Sequence, residues 1–438
     1  MAHNTHFPTE VGKKRHGYHG RADDYETAHD HDRQTRRLAA VLNRGWVLVM
    51  AVILIAVMQA CASAPKRNPL PADLDNLAVI PGYPENIRYW GDEAPPYFKH
   101  WYTASDAFIK KNFSGIMDKK HTYLAVSGGG ENGAYGVGVL LGWTATGTRP
   151  EFTMVTGIST GALIAPFAFL GPDYDARLKE AYTTMTDKDI FTKRSLIGTI
   201  RGDSALNTAP LKKRLAQYVD QEMIEAIAKE FRTGRRLLIG TVNLDAMRPV
   251  LWNIGAIAAS GREDAIDLIH TILIASASIP GAFPPQFFTV EAKGMSYDEM
   301  HVDGGTVHQA FLYPMGYNWN IILKRLHVKG KPEVYIIRNG RLSPEYKAVE
   351  PARTLDIAGR AASSLILSSG VSDLYRMYLT SLRDGLNYHW TAIPDDFNMK
   401  SKGMFDPVYM QKLLEVGYQR VVSGIAWQTE PPDYKIKK

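Results

Sequence analysis

The sequence predicts a three-layer α/β/α domain with a mostly parallel central sheet, on three observations. Tyr123-Leu124-Ala125-Val126 is a short apolar run of the kind buried on both faces of a parallel sheet. It stops at Ser127-Gly128-Gly129-Gly130, and Ala134–Leu141 then starts a helix. Phe152–Thr156 repeats the order of strand, turn and helix, with Gly157-Ile158-Ser159-Thr160-Gly161 as the turn and Ala162–Ala165 opening the helix. Farther on, Arg235–Asn243, Pro249–Asn253 and Lys331–Arg338 have strand patterning, the first two as neighbours. Between and after them, Asp264–Ala275, Leu355–Leu382 and Pro407–Val422 space their apolar residues as helices do. Such alternation builds helices onto both faces of one sheet. The apolar stripes of the last two helices are expected in the core or against the sheet rather than on a lipid-inserting surface. No internal repeat and no second domain is visible.

Composition sets the outer limits. Among 438 residues, 45% are apolar and 22% charged, enough to fill a core without disulfides or metals. The net charge is +6, with no Arg/Lys stripe interleaved with aromatics, which argues against nucleic acid as a partner. A mild positive balance does suit an anionic membrane surface. Nothing in the sequence sets the oligomeric state.

The N-terminus has the marks of targeting. Residues 1–45 hold six of the 13 histidines and little apolar periodicity, as a solvated polar tail does. Arg33, Arg36, Arg37 and Arg44 lead into Trp46–Ala60, where Gln59 is the one polar side chain. A basic flank, an apolar stretch and small residues at its end make a secretory signal. Cys61, the single cysteine, stands where such a signal is cut, so Val57-Met58-Gln59-Ala60-Cys61 resembles a bacterial lipobox whose cysteine carries lipid. The rival reading is an uncleaved anchor over residues 46–64, just long enough to span a bilayer. Both put the following domain outside the cytoplasm and beside a membrane. Residues 65–119, Pro-rich at first, are expected as a linker and N-terminal arm, and residues 120–427 as the domain itself.

Three readings compete for the glycine loop. Gly128-x-Gly130-x-x-Gly133 matches a dinucleotide fingerprint, but no acidic residue closes the next strand. A phosphate loop of the Walker type needs a Gly-Lys-Ser/Thr ending, and none is present. An oxyanion hole needs bare backbone N–H groups, and Gly128, Gly129, Gly130 and Gly133 supply them beside a helix N-terminus. Ser159 lies in a second strand-to-helix turn flanked by Gly157 and Gly161, whose lack of side chains lets such an elbow close. A serine nucleophile needs a proton acceptor. His270, His301, His308, His327 and His389 follow Ser159, none in an obvious strand-end loop with an acid upstream. In His301-Val302-Asp303-Gly304-Gly305, two glycines leave the Asp303 carboxylate open to approach, although a surface turn reads the same way.

With these blocks assembled, residues 120–310 resemble the patatin-like phospholipase family. The matching segments, in order, are Gly128–Gly133, Gly157–Gly161, Ala275–Pro285 and Asp303-Gly304-Gly305. Asn132 departs from the family, many of whose members carry Arg or Lys there. The resemblance implies a lipid acyl hydrolase without metal or organic cofactor. Ser159 would attack the ester carbonyl and Asp303 would accept its proton. The glycine loop would hold the oxyanion, and Ala275–Pro285 would line the site. The substrate class implied is membrane phospholipid or a related lipid ester. A Ser-His-Asp α/β-hydrolase and a catalytically silent lipid-binding protein are the alternatives.

Overall fold

The computed structural model describes residues 67–193, 204–346, 348–349 and 354–433. The tail 1–45, the segment 46–64 with Cys61, and the C-terminal residues Lys435–Lys438 lie outside the described residues.

The first apolar run forms β2 (Thr122–Val126), buried along its whole length, as a strand covered on both faces must be. Its sheet includes β1 (Arg88–Trp90), β3 (Met154–Ile158), β6 (Arg236–Asn243), β7 (Arg248–Asn253), β10 (Glu333–Arg338) and β11 (Asn387–Ala392). The order is β1-β7-β6-β3-β2-β10-β11, with the five strands from β6 to β11 parallel, β7 antiparallel to them, and β1 antiparallel to β7 and so running with the five. Two further antiparallel strands, β8 (Gln286–Ala292) and β9 (Met295–Asp303), join through β9 to β6. A separate short pair, β4 (Thr192–Lys193) and β5 (Leu206–Asn207), stands apart.

Side chains alternate across the sheet with period two. Leu124 and Val126 enter one core, Tyr123 and Ala125 the other. The first core is covered by α2 (Gly133–Ala145), α3 (Thr160–Leu170), α4 (Gln221–Thr233), α5 (Ala265–Ser276) and α7 (Pro407–Val422). The second is covered by α1 (Asp106–Phe113), the helix Trp319–Arg325 and part of α6 (Thr354–Asp384). The three layers and the mostly parallel sheet are those read from the sequence. Every strand and helix named there is present.

Two expectations need correcting. Residues 67–119 are not a detached linker and arm: β1 pairs with β7, Ile87 and Ile109 are buried, and Lys66–Lys438 forms one compact unit. Short 3-10 turns at Ala72–Leu77, Glu85–Ile87 and Pro96–Lys99 carry this segment, and such turns leave no period to read. The second correction concerns α6. Its C-terminal half is core, with Leu374 and Met377 buried, but residues 356–369 lie on the surface, and Leu365 is 72% exposed. Its apolar spacing predicts a buried stripe, yet among the described residues no other element covers this half. Among the described residues, no helix is long and apolar enough to cross a membrane.

Candidate active site

Strand β6 brings the two candidate residues together. Along one edge its first half pairs with β3, ending at Ile158 opposite Gly240. The next residue of β6, Thr241, pairs on that edge with Asp303 of β9. The end of β3 and the end of β9 therefore meet on consecutive residues of one strand. Ser159 follows Ile158 directly, which sets its side chain beside the Asp303 carboxylate, close enough to lower that carboxyl's proton affinity. Residues 144 positions apart in sequence (303 − 159) become neighbours through register alone.

The elbow around Ser159 is tight. Ser159 has φ 56° and ψ −126°, a conformation that side-chain-bearing residues rarely adopt and that costs about 1–3 kcal/mol. It is held by the turn's neighbours. A Cβ on Gly157 would strike the Gly161 carbonyl, and one on Gly161 would strike the Val126 carbonyl. The Ser159 N–H donates to the Ser276 hydroxyl at 3.0 Å, and that hydroxyl donates to the Gly240 carbonyl at 2.6 Å. The N-terminus of α3 then points at Ser159 and favours negative charge there.

Asp303 is held as firmly. Its own N–H donates to Ser278 O at 2.9 Å, and its Oδ1 accepts the Gly305 N–H at 2.7 Å. A Cβ on Gly304 would lie 2.6 Å from the Gly240 carbonyl, so the corner after β9 packs directly on β6. The segment Ala275–Pro285 thus supports both residues, through Ser276 for the serine and Ser278 for the aspartate. Asp303 is 5% exposed and Ser159 6%, so the carboxylate has little water to stabilise its charge. Burial pushes the Asp303 carboxyl from 3.8 up to about 7, against the lowering effects of the nearby Ser159 side chain and of the Gly305 N–H.

The glycine loop divides into two roles. The Gly128 N–H is spent on Gln309 O at 3.0 Å, and the Gly133 N–H on the carbonyls of Gly130 and Glu131. Neither amide is available to an oxyanion, which narrows the four glycines expected as donors to Gly129 and Gly130. Among the described residues no backbone acceptor takes those two N–H groups. Gly133 serves packing, since a Cβ there would strike Thr160, the residue after the serine. Gly130, at φ 57°, opens onto free space, as a substrate-facing position should.

Several supporting residues had no motif to announce them. Asn339, just past β10, donates from its backbone N–H to the Ser127 hydroxyl at 2.8 Å and from its side chain to Ser127 O at 2.9 Å. Its Oδ1 accepts the Gly136 N–H at 3.0 Å, so one buried amide pins both ends of the loop. Gln309 holds Gly128 through its carbonyl and Gly305 O through Nε2 at 2.8 Å. Asn132, where the family often has a cation, accepts from the Tyr409 hydroxyl at 2.7 Å and so faces α7. The sequence signal for Asn339 is its place at the carboxyl end of a parallel strand, where open α/β sheets bind ligands.

The histidines are engaged elsewhere. His270 bonds Val219 O at 2.7 Å, and His301 lies between Thr241 at 2.9 Å and Glu299 at 3.1 Å. His389 pairs with Glu333 at 2.7 Å, His327 with Asp118 at 3.5 Å, and His308 with Asp373 at 3.2 Å. No group of three or more His, Cys, Asp or Glu among the described residues is placed to hold a metal ion.

Ser276→Ala tests the elbow's support. It strands the Ser159 N–H and the Gly240 carbonyl in the interior, which costs about 1–3 kcal/mol. The expected result is a lower melting temperature and a fall in kcat of roughly tenfold at unchanged KM. Wild-type melting together with wild-type kcat would remove this role.

Residues 124–313 match the family described as patatin-like phospholipase. That span contains all four sequence blocks, the last three residues of β2 and the strands from β3 to β9. It includes Ser159 and Asp303. Among solved structures, the chain is similar to VipD from Legionella pneumophila at 13% identity, covering 71% of this chain and 68% of that one, with a TM-score of 0.30. A search of curated proteins found no match. The family match suggests lipid acyl hydrolysis and a lipid substrate.

Proposed function

We propose that the protein is a serine-dependent lipid acyl hydrolase of the phospholipase A, lysophospholipase or lipid-esterase kind. The observation that carries this reading is the register that sets the buried Ser159, on its strained elbow, beside the buried Asp303, whose carboxyl is raised to about 7. Asp303 accepts the hydroxyl proton as the Ser159 oxygen attacks the ester carbonyl. The Gly129 and Gly130 N–H groups bind the oxygen that gains charge. The proton passes to the departing alcohol, leaving an acyl-serine. Asp303 then activates water, and the fatty acid leaves. Metal and cofactor have no part in this sequence. A fluorophosphonate probe tests it: labelling should map to Ser159 and vanish in Ser159→Ala, and labelling elsewhere would overturn the assignment.

The Ser-His-Asp alternative has one feature in its favour, the His308–Asp373 pair. Asp373, however, also accepts the Gln309 N–H at 2.6 Å, the Ala310 N–H at 3.2 Å and an Arg376 N–H at 3.0 Å. It is thereby an anchor for the loop after Asp303 rather than a partner dedicated to one histidine. A silent lipid-binding protein would not need the strained elbow.

We further place the enzyme at a membrane surface, with the outer half of α6 as the contact. Ile357, Leu365 and Ile366 are exposed there, and Asp356 and Arg360 are the only charged residues from Thr354 to Ser372. An exposed apolar stretch of this kind suits the interfacial layer of a bilayer. The helix is tied to the site through Asp373 and through the Ser369 hydroxyl, which donates to Val307 O at 3.3 Å. Leu365→Glu with Ile366→Glu is expected to weaken sedimentation with anionic phospholipid vesicles roughly ten- to a hundredfold. Turnover of a soluble short-chain ester should stay within about twofold. Undiminished vesicle binding would remove α6 from this role. Whether the N-terminal segment is lipidated at Cys61 or spans as an anchor concerns the same localisation, and mass spectrometry of the mature N-terminus distinguishes the two.

A further inference from the structure

The side chain of Gln309 lies between the two reacting residues. A Cβ on Gly128 would lie 3.2 Å from the Ser159 Cβ and 3.3 Å from the Gln309 Oε1. A Cβ on Gly305 would lie 3.0 Å from the Asp303 Oδ1 and 3.0 Å from the Gln309 Nε2. The oxygen end of the amide therefore neighbours the serine, and its nitrogen end the aspartate. Both intervening positions are glycines, so neither puts a side chain between them. Gln309 is also fixed in place. Its N–H donates to the Asp373 carboxylate at 2.6 Å, its carbonyl accepts the Gly128 N–H at 3.0 Å, and its Nε2 donates to Gly305 O at 2.8 Å. The last bond requires nitrogen at that end, which turns Oε1 toward Ser159.

Oε1 has acceptor capacity left over. Gln309 is 7% exposed, and among the described residues no group donates to Oε1, yet that atom is not sealed in the interior. An amide oxygen in so dry a place destabilises the fold unless a donor reaches it. The reacting ester group has no donor to offer, whereas water has two. Water that splits an acyl-enzyme must aim a lone pair at the acyl carbon and lose a proton to a base. Two fixed acceptors for its two O–H bonds aim that lone pair. Asp303 is one such acceptor, and Gln309 Oε1 is the second polar oxygen beside the serine.

We propose that Gln309 positions the hydrolytic water of the deacylation step, accepting one of its O–H bonds while Asp303 accepts the other. The inference rests on the hydrolase reading above. The water oxygen bonds to the acyl carbon as its proton passes to Asp303. The Ser159 oxygen then leaves that carbon and takes the proton back, and the fatty acid departs. Oε1 neither gives nor takes a proton; it sets the angle of approach. An alcohol has one O–H, which goes to Asp303, so it gains nothing from Oε1. Gln309 thus favours water over alcohols as the acyl acceptor, and hydrolysis over acyl transfer.

The test follows one acyl-enzyme to two products. The full chain and its variants turn over p-nitrophenyl butyrate with methanol at fixed concentration, and gas chromatography reads methyl butyrate against butyrate. Gln309→Met keeps the length of the side chain and removes the amide. It is expected to raise the ratio of methyl ester to acid roughly five- to tenfold, the effect of one hydrogen bond to the reacting water. Both products come from the same acyl-enzyme, so loss of folded protein or a weaker nucleophile does not move the ratio. Gln309→Asn draws the oxygen back by one carbon and should raise it likewise, which keeps the test open if Gln309→Met fails to fold. Gln309→Glu retains an acceptor oxygen and should hold the ratio within about twofold of wild type. A wild-type ratio in Gln309→Met or Gln309→Asn overturns the inference, as does a ratio that rises equally in Gln309→Glu. If the wild type makes neither product, the hydrolase reading falls, and the water-positioning role with it.

Discussion

Replacing Ser159 by alanine is expected to lower hydrolysis of short p-nitrophenyl esters by roughly 10³- to 10⁶-fold, the loss seen when a serine nucleophile is removed from a hydrolase. The fold should survive. Alanine keeps the Cβ, and the bonds that hold the elbow run through the Ser159 N–H and the Ser276 hydroxyl rather than through the Ser159 side chain. Alanine also keeps the strain at φ 56° and ψ −126°, whereas glycine relieves it. Ser159→Gly should thus be equally inactive yet more stable than Ser159→Ala. The relief of about 1–3 kcal/mol exceeds the 0.4–1 kcal/mol of extra chain entropy that glycine loses on folding. Steady-state kinetics and thermal melts of the two variants read out the two effects separately. Undiminished turnover by Ser159→Ala would sink the nucleophile. A lethal His308→Ala with active Asp303→Asn would instead favour the Ser-His-Asp mechanism.

What the sequence made legible was local. The strand, glycine loop and helix at 123–141 and the elbow at 157–161 can be read because their geometry depends on neighbours in the chain. Gly157 and Gly161 are required by each other and by β2. Asp303 was legible as a carboxylate followed by two glycines. The fact that makes it a partner for Ser159, successive pairing on Gly240 and Thr241, is a register between distant strands. Such registers leave no local trace. The same holds for Asn339 and Gln309, single polar residues whose importance comes from what the fold sets beside them. The glycine loop shows the limit from the other side. Four glycines look alike in sequence, yet Gly128 spends its amide on Gln309 and Gly133 is small for the sake of Thr160. In α6 the helical period was legible, but the period cannot say whether anything covers the stripe. Leu374 finds a core and Leu365 does not.

Asp303→Asn carries the second large effect, and pH separates its causes. A carboxylate of ordinary basicity, near 3.8, is a poor acceptor for a serine proton. Burial that raises it to about 7 improves the proton transfer by on the order of 4 kcal/mol, at the expense of needing a pH near 7 to have the base ionised. The wild-type kcat/KM should therefore rise about tenfold per pH unit below 7 and level off above it. Asp303→Asn should lose roughly 10³-fold or more at pH 8 and show no such limb. Stability moves the other way. The folded state keeps the Asp303 proton up to about 7, while the unfolded chain releases it near 3.8. Between those values the folded state binds more protons, so wild-type stability falls as pH rises, and the full cost is present above 7. Asparagine carries no charge to desolvate and can still accept the Gly305 N–H. The variant should match the wild type below pH 4 and become progressively more stable than it up to pH 7, by at most about 4 kcal/mol. Melting temperatures at pH 4, 6 and 8 measure this directly. A flat wild-type pH profile between 5 and 8, or a variant that is less stable than wild type at pH 8, would mean that Asp303 is neither buried as a base nor poised to take the proton of Ser159.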